Sequence, residues 1–188
     1  DPAADRMVTS FQTDPSLLKE GDLFISLAED ATTAAEELKI AQKQGACAAA
    51  IGSSLPAFES PLENLFRVEN IKMLPGHVAQ ALYGNPAAQM KTIAITGTSG
   101  KTSVSYIIAG MLAESGYPVG LIGSLGIYDG RVLLPNRETT PQPRQMAELM
   151  ARMIDNGCTH VIIEVSSEAL EQYRLAGIKL DAVCLTNV

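Results

Sequence analysis

Hydrophobic positions in the first part of the chain fall into short apolar runs separated by longer segments of mixed polarity. Apolar runs at 22–27, 47–51 and 65–68 predict short buried strands. The mixed segments 33–45 and 75–83 predict helices, because their apolar residues recur at helical spacing and glycines follow them. This alternation indicates a small α/β unit of about ninety residues.

The alternation continues after Lys91 with longer apolar strands. The predicted strands are 92–96, 119–123, 159–165 and 182–187, and the predicted helical segments are 101–115, 145–156 and 168–173. A polar loop is expected between residue 123 and Arg144. Apolar strands separated by helices are typical of a parallel sheet covered on both faces. We therefore predict an α/β fold, with a small N-terminal α/β substrate domain at 1–88 and an incomplete, mainly parallel P-loop domain at 89–188.

Composition narrows the class of protein. The chain has 188 residues, of which 46% are hydrophobic, and it lacks an apolar run of membrane-spanning length, so we expect a globular protein with no membrane partner. Its net charge of −7 and scattered basic residues argue against nucleic acid as a partner. No apolar leader opens residues 1–6, and the missing initial Met suggests a processed or trimmed chain.

Cysteine and histidine spacing gives no sign of a disulfide framework or zinc site. Cys47, Cys158 and Cys184 are odd in number and far apart, so we predict three reduced, buried thiols in a cytosolic protein. Neither His77 nor His160 has a partner at metal-binding spacing.

The glycine-rich stretch at 95–103 joins a predicted strand to a predicted helix, which is the context of a phosphate-binding loop. Glycines let backbone N–H groups approach phosphate oxygens, and a helix N-terminus adds partial positive charge. Lys101 is placed to reach the β- and γ-phosphates and Thr102 to hold Mg²⁺; a plain turn with a solvated lysine is the alternative. The expected nucleotide-binding residues are Gly97, Thr98, Ser99, Gly100, Lys101, Thr102 and Ser103.

A carboxylate lies at the carboxyl end of the predicted strand 159–165. Ligands of open α/β sheets collect at this edge, and Mg²⁺ prefers oxygen ligands. We therefore expect Glu164 to share a Mg²⁺ ion with Thr102, the alternative being a solvated strand-end acid.

The loop lacks the first glycine of the common P-loop pattern, since Ile95 stands there. In this it resembles the shortened loop of the Mur ligases, ATP-dependent amide ligases of peptidoglycan precursor synthesis. Further fragments follow in the family's order at 21–27, 81–86, 120–126, 139–141 and 159–187. The resemblance covers nearly the whole chain, is strongest after residue 91, and is closest to the branch that extends UDP-MurNAc-L-Ala-D-Glu.

The resemblance implies a cytoplasmic ATP-dependent carbon–nitrogen ligase with ATP and Mg²⁺ as cofactors. ATP would phosphorylate the terminal carboxylate of UDP-MurNAc-L-Ala-D-Glu, and an amino acid would attack the acyl phosphate, with Lys101 and Glu164 as the catalytic residues. Arg174 is suited to clamp a carboxylate, with an ordinary surface arginine as the alternative. The implied substrate residues are Thr139, Thr140, Ser166, Ser167 and Arg174.

Three departures from the family's pattern concern substrate recognition. Asp14-Pro15-Ser16 replaces an Asp-Ser-Arg stretch, which removes an arginine from the implied uridine side. Segment 27–39 lacks the family's Asp-Gly-His, and Glu168 stands where a histidine is usual after the two serines.

The family's chains continue beyond the residues that match 186–188. We therefore expect the 188-residue chain alone to be inactive and to need the remainder of the ligase chain. Two alternatives are a shortened, non-catalytic nucleotide-sugar binding module and a folate polyglutamate-type ligase, which has a similar loop.

Overall fold

The computed structural model describes residues 8–188 as alternating strands and helices. The expectation about residues 1–6 lies outside the described residues, as does the start of the predicted 1–88 domain. The helices are α1 (Ala31–Lys43), α2 (Leu74–Leu82), α3 (Lys101–Glu114), α4 (Pro143–Asp155) and α5 (Ser167–Glu171). The strands are β1 (Phe11–Gln12), β2 (Leu23–Ile25), β3 (Ala48–Gly52), β4 (Leu65–Val68), β5 (Lys91–Thr96), β6 (Val119–Gly123), β7 (Gly126–Tyr128), β8 (Leu133–Leu134), β9 (His160–Glu164) and β10 (Ala182–Leu185).

The chain divides into two compact units, residues 1–78 and 79–188. The domain boundary expected between residues 88 and 89 stays a prediction.

The first unit is a four-stranded parallel sheet in the order β1-β2-β3-β4. Its core is formed by Phe24, Leu38 and Ile51, all fully buried between the sheet and α1. Helix α1 begins where the carboxylate of Asp30 accepts a hydrogen bond from the backbone N–H of Thr33, which satisfies one of the free donors of the first turn.

The second unit is a six-stranded sheet in the order β10-β5-β9-β6-β7-β8. The first four of these strands are parallel, and β7 and β8 add an antiparallel hairpin to one edge. The polar loop predicted from residue 123 to Arg144 therefore contains two short strands and the start of α4, which the prediction did not include. The two hairpin strands are three and two residues long, which is too short for a period of two to be visible in the sequence.

Both faces of this sheet are covered, which confirms the predicted mainly parallel α/β architecture. Side chains along β9 alternate, so Val161 and Ile163 pack with the methionines of α4 whereas Ile162 packs with residues of α3 on the opposite face. The fully buried members of the α4 face are Met146, Met150 and Met153.

Parallel pairing of β5 with β9 decides where polar groups meet. Ile95 lies opposite Glu164 in the register of the two strands. The loop that follows β5 and the carboxylate that ends β9 therefore emerge at the same edge of the sheet.

The cysteines partly match their prediction. All three are free thiols, but only Cys158 is buried, whereas Cys47 and Cys184 are half-buried. Cys184 is half-buried because it lies on the edge strand β10, which has a neighbour on one side only. Across the described residues, no helix is both long enough and apolar enough to cross a membrane.

Asp129 holds the turn between β7 and β8. Its Oδ1 accepts hydrogen bonds from the backbone N–H groups of Arg131 at 2.9 Å and Val132 at 2.8 Å, and its Oδ2 lies 2.6 Å from Nε of Arg152. Burial raises the pKa of Asp129, but the two backbone donors and the Arg152 charge outweigh it, so its pKa lies below the ordinary value.

We expect Asp129→Asn to lower the free energy of unfolding by about 1–3 kcal/mol, because it replaces charge-assisted hydrogen bonds with weaker ones. The difference from wild type is present above the ordinary aspartate pKa of about 3.9 and is lost as pH falls through the lowered pKa of the folded state. Urea unfolding between pH 3 and 7 measures it, with Asp155→Asn at an exposed position of α4 as control. An effect independent of pH would contradict this assignment.

Candidate functional site

The glycine-rich loop between β5 and α3 turns at two glycines with positive φ. Gly97 has φ +133° and Gly100, the N-cap of α3, has φ +82°. Gly97 also lies against the segment after β10, since a Cβ at this position would be 2.2 Å from Oγ1 of Thr186. Glycine is therefore required at Gly97 by conformation and by space.

Thr186 and Asn187 anchor this loop through the peptide groups of Ser99. The backbone N–H of Ser99 donates to Oδ1 of Asn187 at 3.0 Å, and its carbonyl accepts from Oγ1 of Thr186 at 2.6 Å and Nδ2 of Asn187 at 3.2 Å. Neither anchoring residue was predicted from the sequence. Only the sheet order, with β10 beside β5, brings them to the loop.

Lys101 folds back over the loop. Its Nζ donates to the carbonyl of Gly97 at 2.7 Å and lies 3.4 Å from that of Thr98. The ammonium group is thereby held at the mouth of the loop, where an anion bound to the loop would meet it.

Glu164 is the last residue of β9, and it is fully buried. Its Oε2 accepts hydrogen bonds from Oγ1 of Thr102 at 2.8 Å and from Oγ of Ser124 at 3.1 Å. Its Oε1 is buried with no hydrogen-bond partner among the described residues. A carboxylate oxygen in this state is costly unless a cation or donor approaches it.

Gly123 makes room for this carboxylate. A Cβ on Gly123 would lie 2.2 Å from Oε1 of Glu164. Gly123 and its neighbour Ser124 fall within the family-like fragment 120–126, but no sequence pattern indicates a role for either residue.

The donor set of this cluster fits Mg²⁺. It consists of one carboxylate and the hydroxyls of Thr102 and Ser124, all hard oxygen ligands. No group of three or more His, Cys, Asp or Glu side chains suited to a metal occurs within residues 8–188. A protein site of few ligands is what Mg²⁺ uses when phosphate and water complete its octahedron.

Ser124 also connects the carboxylate to the predicted substrate residues. Its hydroxyl lies 3.0 Å from Oγ1 of Thr139. Thr140 is buried, and its Oγ1 donates to the carbonyl of Glu164 at 2.8 Å and accepts from the backbone N–H of Ser166 at 3.0 Å. The hydroxyl of Thr140 thus fixes the end of β9.

Arg174 lies at the same edge of the sheet. It is buried, and its Nη1 donates to the carbonyl of Thr140 at 2.6 Å. Glu138 and Glu168 both pair with its guanidinium group. Glu168, which stands where the family usually has a histidine, therefore contacts the arginine that is expected to bind substrate.

The structure brings most of the predicted site residues together and leaves a few apart. Glu164, Thr102, Thr139, Thr140 and Arg174 form one connected hydrogen-bond network. Ser166 caps α5 by accepting from the backbone N–H of Ala169. The side chains of Thr98, Ser103 and Ser167 are exposed around the network.

The departure at Asp14-Pro15-Ser16 forms a short 3-10 turn in the first unit. Oδ1 of Asp14 accepts from the backbone N–H and the hydroxyl of Ser16, and these bonds lower the pKa of Asp14. The side chain that replaces the family's arginine thus has a local structural role.

A family model matches half of this chain. The model describes the Mur ligase middle domain, and it matches residues 95–188, which include the loop, Glu164 and Arg174.

Curated relatives are similar over more of the chain. The UDP-N-acetylmuramoyl-L-alanyl-D-glutamate–2,6-diaminopimelate ligase of Corynebacterium glutamicum is 40% identical over 121 residues, 64% of this chain and 23% of the relative. The enzyme of the same name from Coxiella burnetii is 33% identical over 187 residues, 98% of this chain and 38% of the relative. The chain therefore spans less than two fifths of the length of these relatives.

Solved structures share the fold. A UDP-N-acetylmuramoyl-L-alanyl-D-glutamate–2,6-diaminopimelate ligase superposes with a TM-score of 0.75 at 24% identity, over 96% of this chain and 36% of that one. The MurF ligase of Thermotoga maritima in complex with ADP gives a TM-score of 0.56 at 17% identity, over 98% and 38%.

We expect Gly97→Ala to destabilise the chain more than Gly116→Ala, by about 1–3 kcal/mol. Both glycines have positive φ, but a Cβ at Gly116 meets nothing within 4 Å, whereas one at Gly97 overlaps Thr186 and Asn187. Gly116→Ala measures the cost of a Cβ at positive φ without overlap, and the additional loss in Gly97→Ala combines the overlap with the less accessible φ of +133°. Denaturant unfolding of both variants measures it, and equal losses would show that the loop does not depend on its contact with Thr186.

Proposed function

The chain belongs to the Mur ligase family, and we propose that it is part of an ATP-dependent amide ligase that extends UDP-MurNAc-L-Ala-D-Glu with an amino acid. The main support for this proposal is the buried Glu164, whose Oε2 accepts a hydrogen bond from Thr102 beside the loop and whose Oε1 has no hydrogen-bond partner within residues 8–188. A carboxylate and hydroxyl pair at the start of a phosphate-binding helix is the arrangement used to hold Mg²⁺ against nucleotide phosphates.

The roles of the loop residues follow from their positions. The backbone N–H groups of Gly97, Gly100 and Lys101 are proposed to face the phosphates, and the Lys101 ammonium to exchange its contact with the Gly97 carbonyl for β- and γ-phosphate oxygens. The N–H of Ser99 is excluded from this set while Asn187 accepts its hydrogen bond.

Mg²⁺ would be held by Thr102 and Glu164, with Ser124 beside them. When bound, the ion neutralises charge that develops on phosphate oxygens. Glu164 is suited to this task because its unpartnered Oε1 gains a ligand and because burial keeps the carboxylate in a water-poor place.

The substrate side is proposed at Thr139, Thr140, Ser166, Ser167 and Arg174. The network that joins Glu164 to Thr139 through Ser124 supports this placement, because a carboxylate activated by phosphoryl transfer must lie next to the γ-phosphate. Arg174 is the cation of this group, and it is suited to a carboxylate of the nucleotide-sugar peptide.

We also propose 2,6-diaminopimelate as the amine substrate, because the relatives are named for that diamino acid. We further propose a cytoplasmic location, a boundary between residues 88 and 89 that separates substrate and nucleotide domains, and a need for the remainder of the ligase chain for turnover.

We expect Lys101→Ala to weaken MgATP binding by about tenfold or more, because a charge-assisted contact to phosphate is lost. Lys179→Ala, at an exposed position of the same unit, should leave binding within about twofold of wild type. Isothermal titration of the 188-residue chain with MgATP measures both. Equal affinities for wild type and Lys101→Ala would contradict the loop as the phosphate site.

Glu164→Gln should raise the Mg²⁺ concentration needed for half-maximal ATP binding by about tenfold, since it removes the negative charge of the one carboxylate in the cluster. Glu114→Gln, at the exposed end of α3, is the matched control. Titration of Mg²⁺ at fixed ATP gives the value. An unchanged Mg²⁺ requirement in Glu164→Gln would exclude Glu164 as a ligand.

A further inference from the structure

Arg174 is a buried cation whose hydrogen-bond donors are mostly taken by the protein's own groups. Its Nε donates to Oε1 of Gln172 at 2.9 Å, and its Nη1 donates to the carbonyl of Thr140 at 2.6 Å and to the carboxylate of Glu138. Its Nη2 donates to Oε1 of Glu168 at 2.9 Å. A guanidinium group has five N–H donors, so four of them are occupied.

The arginine and its two carboxylate partners differ sharply in exposure. The side chain of Arg174 is 7% exposed, whereas those of Glu138 and Glu168 are 48% and 63% exposed. Each carboxylate is in contact with solvent and can leave when another anion takes its place, because the buried guanidinium charge then stays compensated. The buried guanidinium stays in place, so the arrangement is a fixed cation with exchangeable anions.

Glu168 is the exposed partner of Nη2 among the described residues. The carbonyl of Thr140 holds Nη1 independently of Glu168, whereas Gln172, the acceptor for Nε, also donates through its Nε2 to Oε1 of Glu168 at 3.1 Å. Glu168 therefore occupies the nitrogen that an incoming carboxylate would use, and a substitution that keeps its acceptor oxygen also keeps the contact with Gln172.

The place of this pair in the fold connects it to the nucleotide side. Arg174 bonds the backbone of Thr140, and the hydroxyl of Thr140 bonds the carbonyl of Glu164. A carboxylate received by Arg174 would thus lie at the same edge of the sheet as the proposed Mg²⁺ ligand.

We propose that Glu168 is a specificity-determining residue, which competes with the carboxylate of the nucleotide-sugar peptide for Nη2 of Arg174. This inference rests on the proposed function. A ligand that carries a free carboxylate must displace Glu168 before it binds, whereas a ligand without one binds without displacement. Glu168 therefore lowers affinity for the anionic substrate selectively.

Glu168→Gln is the informative variant, because glutamine keeps an acceptor oxygen for Arg174 but removes the competing charge. Glu171→Gln removes a charge from another exposed position of α5 and has no described contact with Arg174, so it controls for general electrostatic effects. UDP-N-acetylglucosamine controls for the ligand, because it has the nucleotide and a sugar but no carboxylate.

Calorimetric titration of the 188-residue chain with UDP-MurNAc-L-Ala-D-Glu should show about three- to tenfold tighter binding for Glu168→Gln than for wild type. Glu171→Gln should match wild type, and affinities for UDP-N-acetylglucosamine should be equal in all three proteins. The gain should disappear when Glu168→Gln is combined with Arg174→Lys, which lacks the planar fork.

Two results would overturn the inference in distinguishable ways. If wild type binds the dipeptide ligand and Glu168→Gln binds it equally or more weakly, Glu168 is a strut for Arg174 and the competition does not exist. If neither nucleotide sugar binds to wild type or to any variant that unfolds at the wild-type midpoint, the substrate assignment fails and this inference fails with it.

Discussion

One buried carboxylate organises the second unit at the edge where the carboxyl ends of its parallel strands meet. Glu164 ends the central strand β9 with no exposed surface; two hydroxyls donate to one of its oxygens, and the other has no hydrogen-bond partner in the part of the chain that the structure describes. Burial of a charge in this state is unfavourable unless a cation completes it. The fold retains the group by leaving space at Gly123 and by fixing the strand end through Thr140.

The order of the parallel strands brings residues that are distant in sequence together at one site. Because β10, β5, β9 and β6 are adjacent and parallel, their carboxyl ends meet at one edge. Thr102 after the β5 loop and Ser124 after β6 therefore both bond Glu164, and Asn187 after β10 holds the loop. The proposed nucleotide side and the proposed substrate side are joined by hydroxyl groups, and Arg174 lies beyond Thr140 with its charge already matched by glutamates.

The sequence predicted those parts of the site that a local pattern encodes. Gly97, Gly100, Lys101 and Thr102 stand in one strand–loop–helix segment, and Glu164 ends an apolar run, so both could be identified without a structure. Ser124, Asn187 and Glu138 carry no such pattern, because only sheet order and side-chain packing bring them to the site. The hairpin β7–β8 was missed since its strands are too short for their alternation to be recognised.

The contacts on the proposed substrate side could not be predicted from the sequence for the same reason. The resemblance indicated Arg174 and flagged Glu168 as a departure, but it could not indicate that the two residues touch. Whether an arginine is available to a ligand is decided by its neighbours in space. Here, two carboxylates and two neutral acceptors surround the guanidinium group of Arg174. We therefore infer that the affinity for a ligand depends on how readily its carboxylate replaces one of the glutamates.

We propose that the Glu164 cluster binds a divalent cation at the mouth of the loop. Paramagnetic broadening of backbone amide resonances by substoichiometric Mn²⁺ in the presence of ATP measures this binding. If Glu164 holds the ion, the amides of Gly123, Ser124 and Val165 broaden first, followed by those of the loop. Broadening centred on another group of carboxylates, such as the region of Asp155 or Asp181, with these amides unaffected, would contradict it.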